Sequence, residues 1–165
     1  MTQFREGYVY HIKDEFFEYI KDDKLMKNKE HGSYRPTFYC IKDSLTSLLW
    51  VVPMSSKVDE KYQALYDKQM KTYGNCLTIV IGEFDQKKAA FLLQNIFPIT
   101  EHYLDHVHSR DGKPVRVHTE LQQTIRTNMR KIFALMKRGK KLVFPDIQRI
   151  EHLMLEELRQ HTSTE

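Results

Sequence analysis

The sequence is poor in the residues that mark several common classes of protein. Its 165 residues include only two cysteines, Cys40 and Cys76, and six glycines. The cysteines form no C-x-x-C pair, so no zinc motif is expected. In a reducing compartment two such thiols are more often buried side chains than partners in a disulfide bond. The glycines form no G-x-G or Walker pattern, which argues against the familiar phosphate-binding loops, and H-E-x-x-H is absent.

Long apolar runs are also missing. No window approaches the roughly 18 uninterrupted apolar residues of a membrane helix, and the start, MTQFREGYVYHIKDEFF, carries early charges. We therefore expect no signal peptide, no membrane partner and a cytoplasmic location. Apolar residues make up 41% and charged residues 29%, which is typical of one globular domain over residues 1–165. A formal net charge of +4 permits an anionic partner without requiring one.

Hydrophobic patterning predicts strands in the first hundred residues and two helices at the end. The strands are expected at residues 7–12, 37–41, 47–54, 76–84 and within 89–99, where a short helix can precede the last strand. The helices are expected within 13–28, with Asp14 as N-cap, at 57–74, at 120–138, and within 144–161, with Pro145 in the first turn. Residues 100–118 are expected to be a loop, with or without a short hairpin at SRDGKP. Pro53 should end its strand or place it at an edge. This order predicts an α+β fold, a small antiparallel sheet or barrel with helices packed outside.

The run WVVPMSSK, residues 50–57, ends an apolar strand in two hydroxyls and a cation. Ser55, Ser56 and Lys57 could together bind one phosphate, because a strand end fixes such side chains at an open rim. Equally, one serine could cap the following helix, although the capping box lacks its glutamate three residues on. Arg35, just before the preceding strand, could point to the same end of the sheet.

Other polar groups suggest an anionic ligand less specifically. The helix at 120–138 carries Arg126, Arg130 and Lys137 with a single acid, Glu120, and such a basic face suits single-stranded RNA. Four histidines cluster between residues 102 and 118; one of them could serve in proton transfer, but exposed loop histidines are commoner. Glu83 and Asp85 are expected to be solvated acids beside a turn.

Several of these segments resemble the ToxN/AbiQ family of endoribonuclease toxins from type III toxin–antitoxin systems, and within it the CptN-like branch. The resembling features are YVYHI followed by a short helix, Tyr34-Arg35-Pro36 before a strand, a strand ending in PMSS, and LTIVIGEF leading to NIFPI, with two helices closing the chain. The resemblance implies an SH3-like β-barrel akin to the MazF/Kid toxins. It also implies cofactor-free, metal-independent cleavage of single-stranded, A-rich RNA.

The resemblance further implies partners and roles. The antitoxin would be a folded, pseudoknot-like RNA repeat that the toxin cuts from a precursor and then binds in an oligomeric toxin–RNA complex. Arg35 and Lys57 would stabilise charge on the phosphate, while Ser55 and Ser56 would orient its oxygens and relay protons. The remaining expected RNA contacts are Tyr10, Tyr34, Lys61, His118, Arg126, Arg130 and Lys137. Two alternatives stay open: a non-catalytic RNA-binding protein, and a toxin that acts on a protein.

Overall fold

The computed structural model describes residues 4–30 and 32–163. The helices in this part of the chain are α1 (Asp14–Ile20), α2 (Gln63–Tyr73), α3 (Thr119–Lys137) and α4 (Ile147–Ser163). The strands are β1 (Val9–Ile12), β2 (Lys29–Glu30), β3 (Ser33–Tyr34), β4 (Thr37–Lys42), β5 (Leu49–Ser55), β6 (Ile79–Phe84), β7 (Lys87–Leu92), β8 (Phe97–Ile99), β9 (Leu104–Val107), β10 (Ser109–Arg110) and β11 (Lys113–Pro114).

The main sheet is antiparallel and has seven strands in the described part of the chain. Its order is β6-β7-β5-β4-β1-β9, and β8 pairs with β5 off this path. Strand β5 is the centre of the arrangement, since β4 pairs along one side while β8 and then β7 share the other. The path of described strands ends at β6 and β9 without closing into a barrel. The predicted α+β class, with two helices at the end of the chain, is confirmed.

Helices cover both faces of the sheet because the strands alternate apolar side chains between them. On one face, Ile125 and Ile132 of α3 are buried, and the rings of Trp50 and Phe133 lie 4.9 Å apart. On the other face, α1 and α4 bury Phe16 and Met154 with residues of β1 and β8. Each such fully buried side chain stabilises the fold by about 1.5–3 kcal/mol relative to exposure.

Several expected elements need correction at their ends. Asp14 is the first residue of α1 and not its N-cap, which is Lys13 without a side-chain cap bond. Pro145 precedes α4 by two residues, and the backbone N–H of Arg149 donates to Asp146 Oδ1 at the start of that helix. The segment expected as one helix at 57–74 begins with a π-helical turn, Val58–Tyr62, before α2. Gly74, with φ of 77°, ends α2 as expected.

Pro53 neither ends its strand nor marks an edge. It lies inside β5, buried, and pairs with Thr37 of β4. On the opposite side of β5, pairing with β8 stops at Val51 and pairing with β7 starts at Met54. Proline is accommodated here because its missing N–H falls between the two partners.

Candidate active site

A cavity of about 470 Å³ opens where β5 ends. Thr37 at the start of β4 pairs with Pro53, and the N–H of Met54 donates to the carbonyl of Pro36 at 3.0 Å. This pairing brings the segment before β4 against the end of β5. The cavity is therefore lined by Arg35, Ser55 and Ser56 together, as the sequence predicted for Arg35 and the strand end.

Arg35 forms part of the wall of the cavity, and its guanidinium is bonded to the backbone. Its side chain is buried, with 8% of the residue exposed. Nε donates to the carbonyl of Lys27 at 2.8 Å, and one Nη donates to the carbonyl of Met54 at 2.9 Å. These bonds tie the chain before α2 to the loop after α1, so the guanidinium fixes the backbone from which Ser55 projects.

The two serines differ in exposure. Ser55 is buried, and its Oγ accepts a hydrogen bond from the N–H of Lys57 at 3.2 Å, which forms a local turn. Ser56 is exposed and lines the cavity. Lys57 is half-buried and is the N-cap residue of the π-helical turn, with no side-chain cap bond. Neither serine is therefore the N-cap residue of the following helix.

Two histidines face the same cavity: His108, one of the four clustered histidines noted in the sequence, and His11, which the sequence did not single out. His11 lies on β1 and His108 directly follows β9, the neighbouring strand. The ring of His11 stacks on that of His106, with centroids 4.3 Å apart, and its centroid lies 6.4 Å from that of His108. Burial lowers the pKa of His11, and the neighbouring imidazoles of His106 and His108 lower it further.

Asp85 connects His108 to the turn between β6 and β7. Its Oδ2 lies 2.9 Å from His108 Nε2, and its Oδ1 accepts a hydrogen bond from Arg110 Nε. The bond from Arg110, followed by that from His108, lowers the pKa of the Asp85 carboxyl. The expectation of a solvated turn acid was wrong for this residue, because only 17% of its side chain is exposed and both oxygens have partners.

Tyr34 forms an exposed wall of the cavity, as suits its expected contact with RNA. Its hydroxyl donates to Asp14 Oδ2 at 3.0 Å, and Asn28 Nδ2 donates to Asp14 Oδ1 at 3.0 Å. These hydrogen bonds, that of Asn28 first, lower the pKa of Asp14. The ring of Tyr34 is thus held in place while 39% of the residue remains exposed.

Tyr10 and Lys61 lie away from this cavity. Tyr10 is 3% exposed, packs against Phe4 and Tyr39, and its hydroxyl accepts from the N–H of Arg5. Its ring therefore offers no open face to a base, since strand alternation turns His11 to the cavity and Tyr10 to the core. Lys61 is exposed on the π-helical turn, with Nζ 5.3 Å from the centre of the Tyr62 ring.

The basic residues of α3 also lie outside the cavity. Arg126 is partly buried and donates to the carbonyl of Cys40, while Arg130 and Lys137 are exposed. His118, the N-cap residue of α3, lines a second cavity of about 560 Å³ together with Arg110 and Arg116. The two cavities share Phe84 and Asp85 in their walls. The two cavities therefore adjoin at the turn that carries Asp85.

Two lysines complete the charge of the first cavity. Lys87 and Lys88 begin β7 and are both exposed at its rim. Lys88 Nζ lies 3.3 Å from Asp59 Oδ1, in a pair whose side chains are mostly exposed. Such exposed pairs are weak, so a phosphate can compete for this ammonium group.

The residues that the structure describes contain no group of three His, Cys, Asp or Glu side chains placed to hold a metal ion. None of the helices they form is long and apolar enough to cross a membrane.

No protein-family model matches the sequence, and no curated protein matches it.

Proposed function

We propose that the protein is the endoribonuclease toxin of a type III toxin–antitoxin system. It cleaves single-stranded RNA at specific sequences without a metal ion, and it leaves 2′,3′-cyclic phosphate and 5′-hydroxyl ends. It also processes a folded RNA repeat, which then inhibits it in an oligomeric complex. An SH3-like fold is part of the proposal, supported by the way β5 shares its edge between β8 and β7.

One observation carries the proposal. A single cavity at the end of β5 contains the hydroxyls of Ser55 and Ser56, the lysines of β7 and two imidazoles. Hydroxyls and ammonium groups bind phosphate oxygens, and imidazoles exchange protons near neutral pH. Cleavage by attack of a 2′-hydroxyl needs these functions and no covalent enzyme intermediate.

The geometry divides the work among these groups. Ser56 is open to solvent and can donate to a phosphate oxygen, while the buried Ser55 holds the turn that presents it. Lys87 and Lys88 supply positive charge at the rim. In this proposal Arg35 holds the end of β5 in place, because its guanidinium already donates to two backbone carbonyls. Tyr34 offers an exposed ring on which a base can stack.

The test is cleavage by the purified protein in excess EDTA. The substrate is a mixture of end-labelled single-stranded RNAs, and the chemistry of the new ends is determined. The variant Ser56→Ala removes one exposed hydroxyl of the cavity, whereas Ser44→Ala removes an exposed hydroxyl from the β4–β5 turn as a matched control. We expect cleavage by the parent and by Ser44→Ala, and a loss of about 10²-fold or more in Ser56→Ala.

The same experiment separates the non-catalytic alternative. If the parent binds the labelled RNA but leaves it intact under all conditions, with and without divalent cations, the protein is an RNA-binding protein. If it neither binds nor cuts RNA, both RNA-directed functions are excluded, and the reading as a toxin against a protein target is the one to pursue. Circular dichroism of each variant establishes that the substitution has not unfolded the chain.

A further inference from the structure

The cavity contains a pair of imidazoles with different environments. His11 lies on β1 and His108 directly follows the neighbouring strand β9; both line the cavity with Ser56, and their ring centroids are 6.4 Å apart. We propose that His11 is the general base and His108 the general acid of RNA cleavage, with Asp85 and Arg110 as positioning residues. This inference rests on the proposed ribonuclease function.

The contact with Asp85 determines which ring nitrogen of His108 carries a proton. Asp85 is ionised at neutral pH, so its oxygens can only accept hydrogen bonds. His108 Nε2, 2.9 Å from Oδ2, must therefore be the protonated nitrogen. Its Nδ1 has no hydrogen-bond partner among the described residues, which leaves that atom to exchange a proton with the substrate.

The turn that supplies Asp85 is the two-residue loop of the β6–β7 hairpin. Asp85 and Gln86 both adopt positive φ, at 50° and 68°. Positive φ at both central residues is the geometry that a two-residue β-hairpin loop of type I′ requires, so the hairpin itself fixes where Asp85 points. Here the conformation directs the Asp85 carboxylate at His108, while Arg110 of the β10–β11 hairpin holds the other oxygen.

Burial, and then two neighbouring imidazoles, favour the neutral form of His11. Its Nδ1 is buried and has no hydrogen-bond partner in the described part of the chain. The charged and titratable groups around the ring are His106 and His108 on the β9 side, Asp105, and the edge of Tyr34. Burial first, and then the two imidazoles, lower its pKa against the opposing effect of Asp105. A neutral imidazole is the form that can accept a proton.

The reaction then balances with these two side chains. Because Nδ1 of His11 is buried, the other ring nitrogen, Nε2, takes the proton of the 2′-hydroxyl as the O2′–P bond forms. The P–O5′ bond breaks, and His108 gives its Nδ1 proton to the departing 5′ oxygen. The products are a 2′,3′-cyclic phosphate and a 5′-hydroxyl. His11 ends protonated and His108 neutral, so one proton transfer through water restores both.

The first test is the pH dependence of kcat/KM on a cleaved RNA, for His11→Gln, His108→Gln and Asp85→Asn. The control is His102→Gln, an exposed histidine outside the cavity. We expect losses of about 10²–10⁴-fold for the two cavity histidines. His11→Gln should remove the rise of activity with pH on the acid side, and His108→Gln the fall on the alkaline side. Asp85→Asn should alter the alkaline side and lower kcat more than it raises KM.

The second test separates the acid from the base. A substrate with sulfur in place of the bridging 5′ oxygen has a leaving group that needs no proton. It should restore cleavage by His108→Gln to near the parent rate and leave His11→Gln impaired. If His108→Gln stays impaired on this substrate, its assignment as the acid is wrong.

The outcomes distinguish this inference from the proposed function. If the parent cleaves RNA while His11→Gln and His108→Gln keep its rate within about twofold and its pH profile, the ribonuclease stands and the histidine roles fall. If the parent does not cleave, both fall. Should a variant unfold, imidazole NMR signals of the parent are followed as it binds RNA with a 2′-deoxy nucleotide at the cleavage position. Shifts of His11 and His108, but not His102, support the inference; unmoved signals overturn it.

Discussion

Replacing Arg35 by alanine should destabilise the whole domain, and the contacts of the side chain allow the effect to be estimated. The guanidinium is buried and donates to the carbonyls of Lys27 and Met54. Hydrogen bonds from a charged group contribute about 1.5–3 kcal/mol each. Alanine would also leave two carbonyl oxygens without these donors and a cavity where the side chain was.

The expected loss in the free energy of unfolding is about 3–5 kcal/mol. That is a large part of the roughly 5–15 kcal/mol that a domain of this kind possesses. At roughly 2–4 °C per kcal/mol, the melting temperature should fall by about 10 °C. Arg35→Lys should lose less, because an ammonium group can still reach one of the two carbonyls.

Urea denaturation followed by circular dichroism measures this difference, with thermal melting as a second observable. Arg130→Ala is the matched control, since that arginine is exposed on α3 and should change stability by no more than about 0.5 kcal/mol. An Arg35→Ala protein as stable as the control would refute the reasoning and return the guanidinium to a role in binding phosphate. A destabilised one means that lost activity in this variant cannot be taken as evidence for catalysis.

Three further predictions concern parts of the fold around the site. Gly82→Ala places a Cβ 2.7 Å from Leu121 Cδ2, the movable end of a partly buried side chain, so urea denaturation should show a loss of at most about 1 kcal/mol, recovered when Leu121→Ala is also present; additive losses would contradict this. Burial raises the pKa of the Cys40 thiol to about 12, so a disulfide reagent at pH 8 should modify it only as the chain unfolds, and rapid reaction of the native protein would contradict this. The pKa of Asp85 is lowered by Arg110 and then His108, so its contribution to stability is full above the ordinary carboxyl pKa and is lost as pH falls through the lowered one; Asp85→Asn should lack this part of the acid dependence of the urea midpoint, and equal dependence would contradict it.

The sheet was predictable where strands are apolar and paired by short turns. Residues 37–41 and 47–54 form β4 and β5 because alternating and continuous apolar runs flank a turn with Asp43, whose Oδ1 accepts from the N–H of Leu45. Strand β9 escaped prediction for the opposite reason. Its sequence LDHV is mostly exposed and it pairs only with β1 along the main path, so its side chains carry no apolar alternation.

Only the part of the site at the end of β5 was predictable from the sequence. Arg35 and the SS pair could be brought together by reading a hairpin, since neighbouring strands share an end. Strand alternation along VYHI could also have placed His11 on the face of the sheet opposite to that of Tyr10. In the structure Val9, on the same face as His11, and Tyr10 do belong to different core clusters. The partnership of Asp85 with His108 had no such signal: the residues are 23 apart in sequence and meet through a turn and the irregular end of β9.

The position of the cavity follows from the way β5 changes partners. Beyond Val51 the strand leaves β8, and from Met54 it pairs with β7, whose turn to β6 carries Asp85. On its other side β5 stays with β4, which pairs with β1 and so brings His11 into reach. Ser55 and Ser56 thus lie between a turn that aims a carboxylate and a strand that aims an imidazole. Proline is the residue best suited to this crossing point, because it needs no hydrogen-bond partner at the position where neither neighbour provides one.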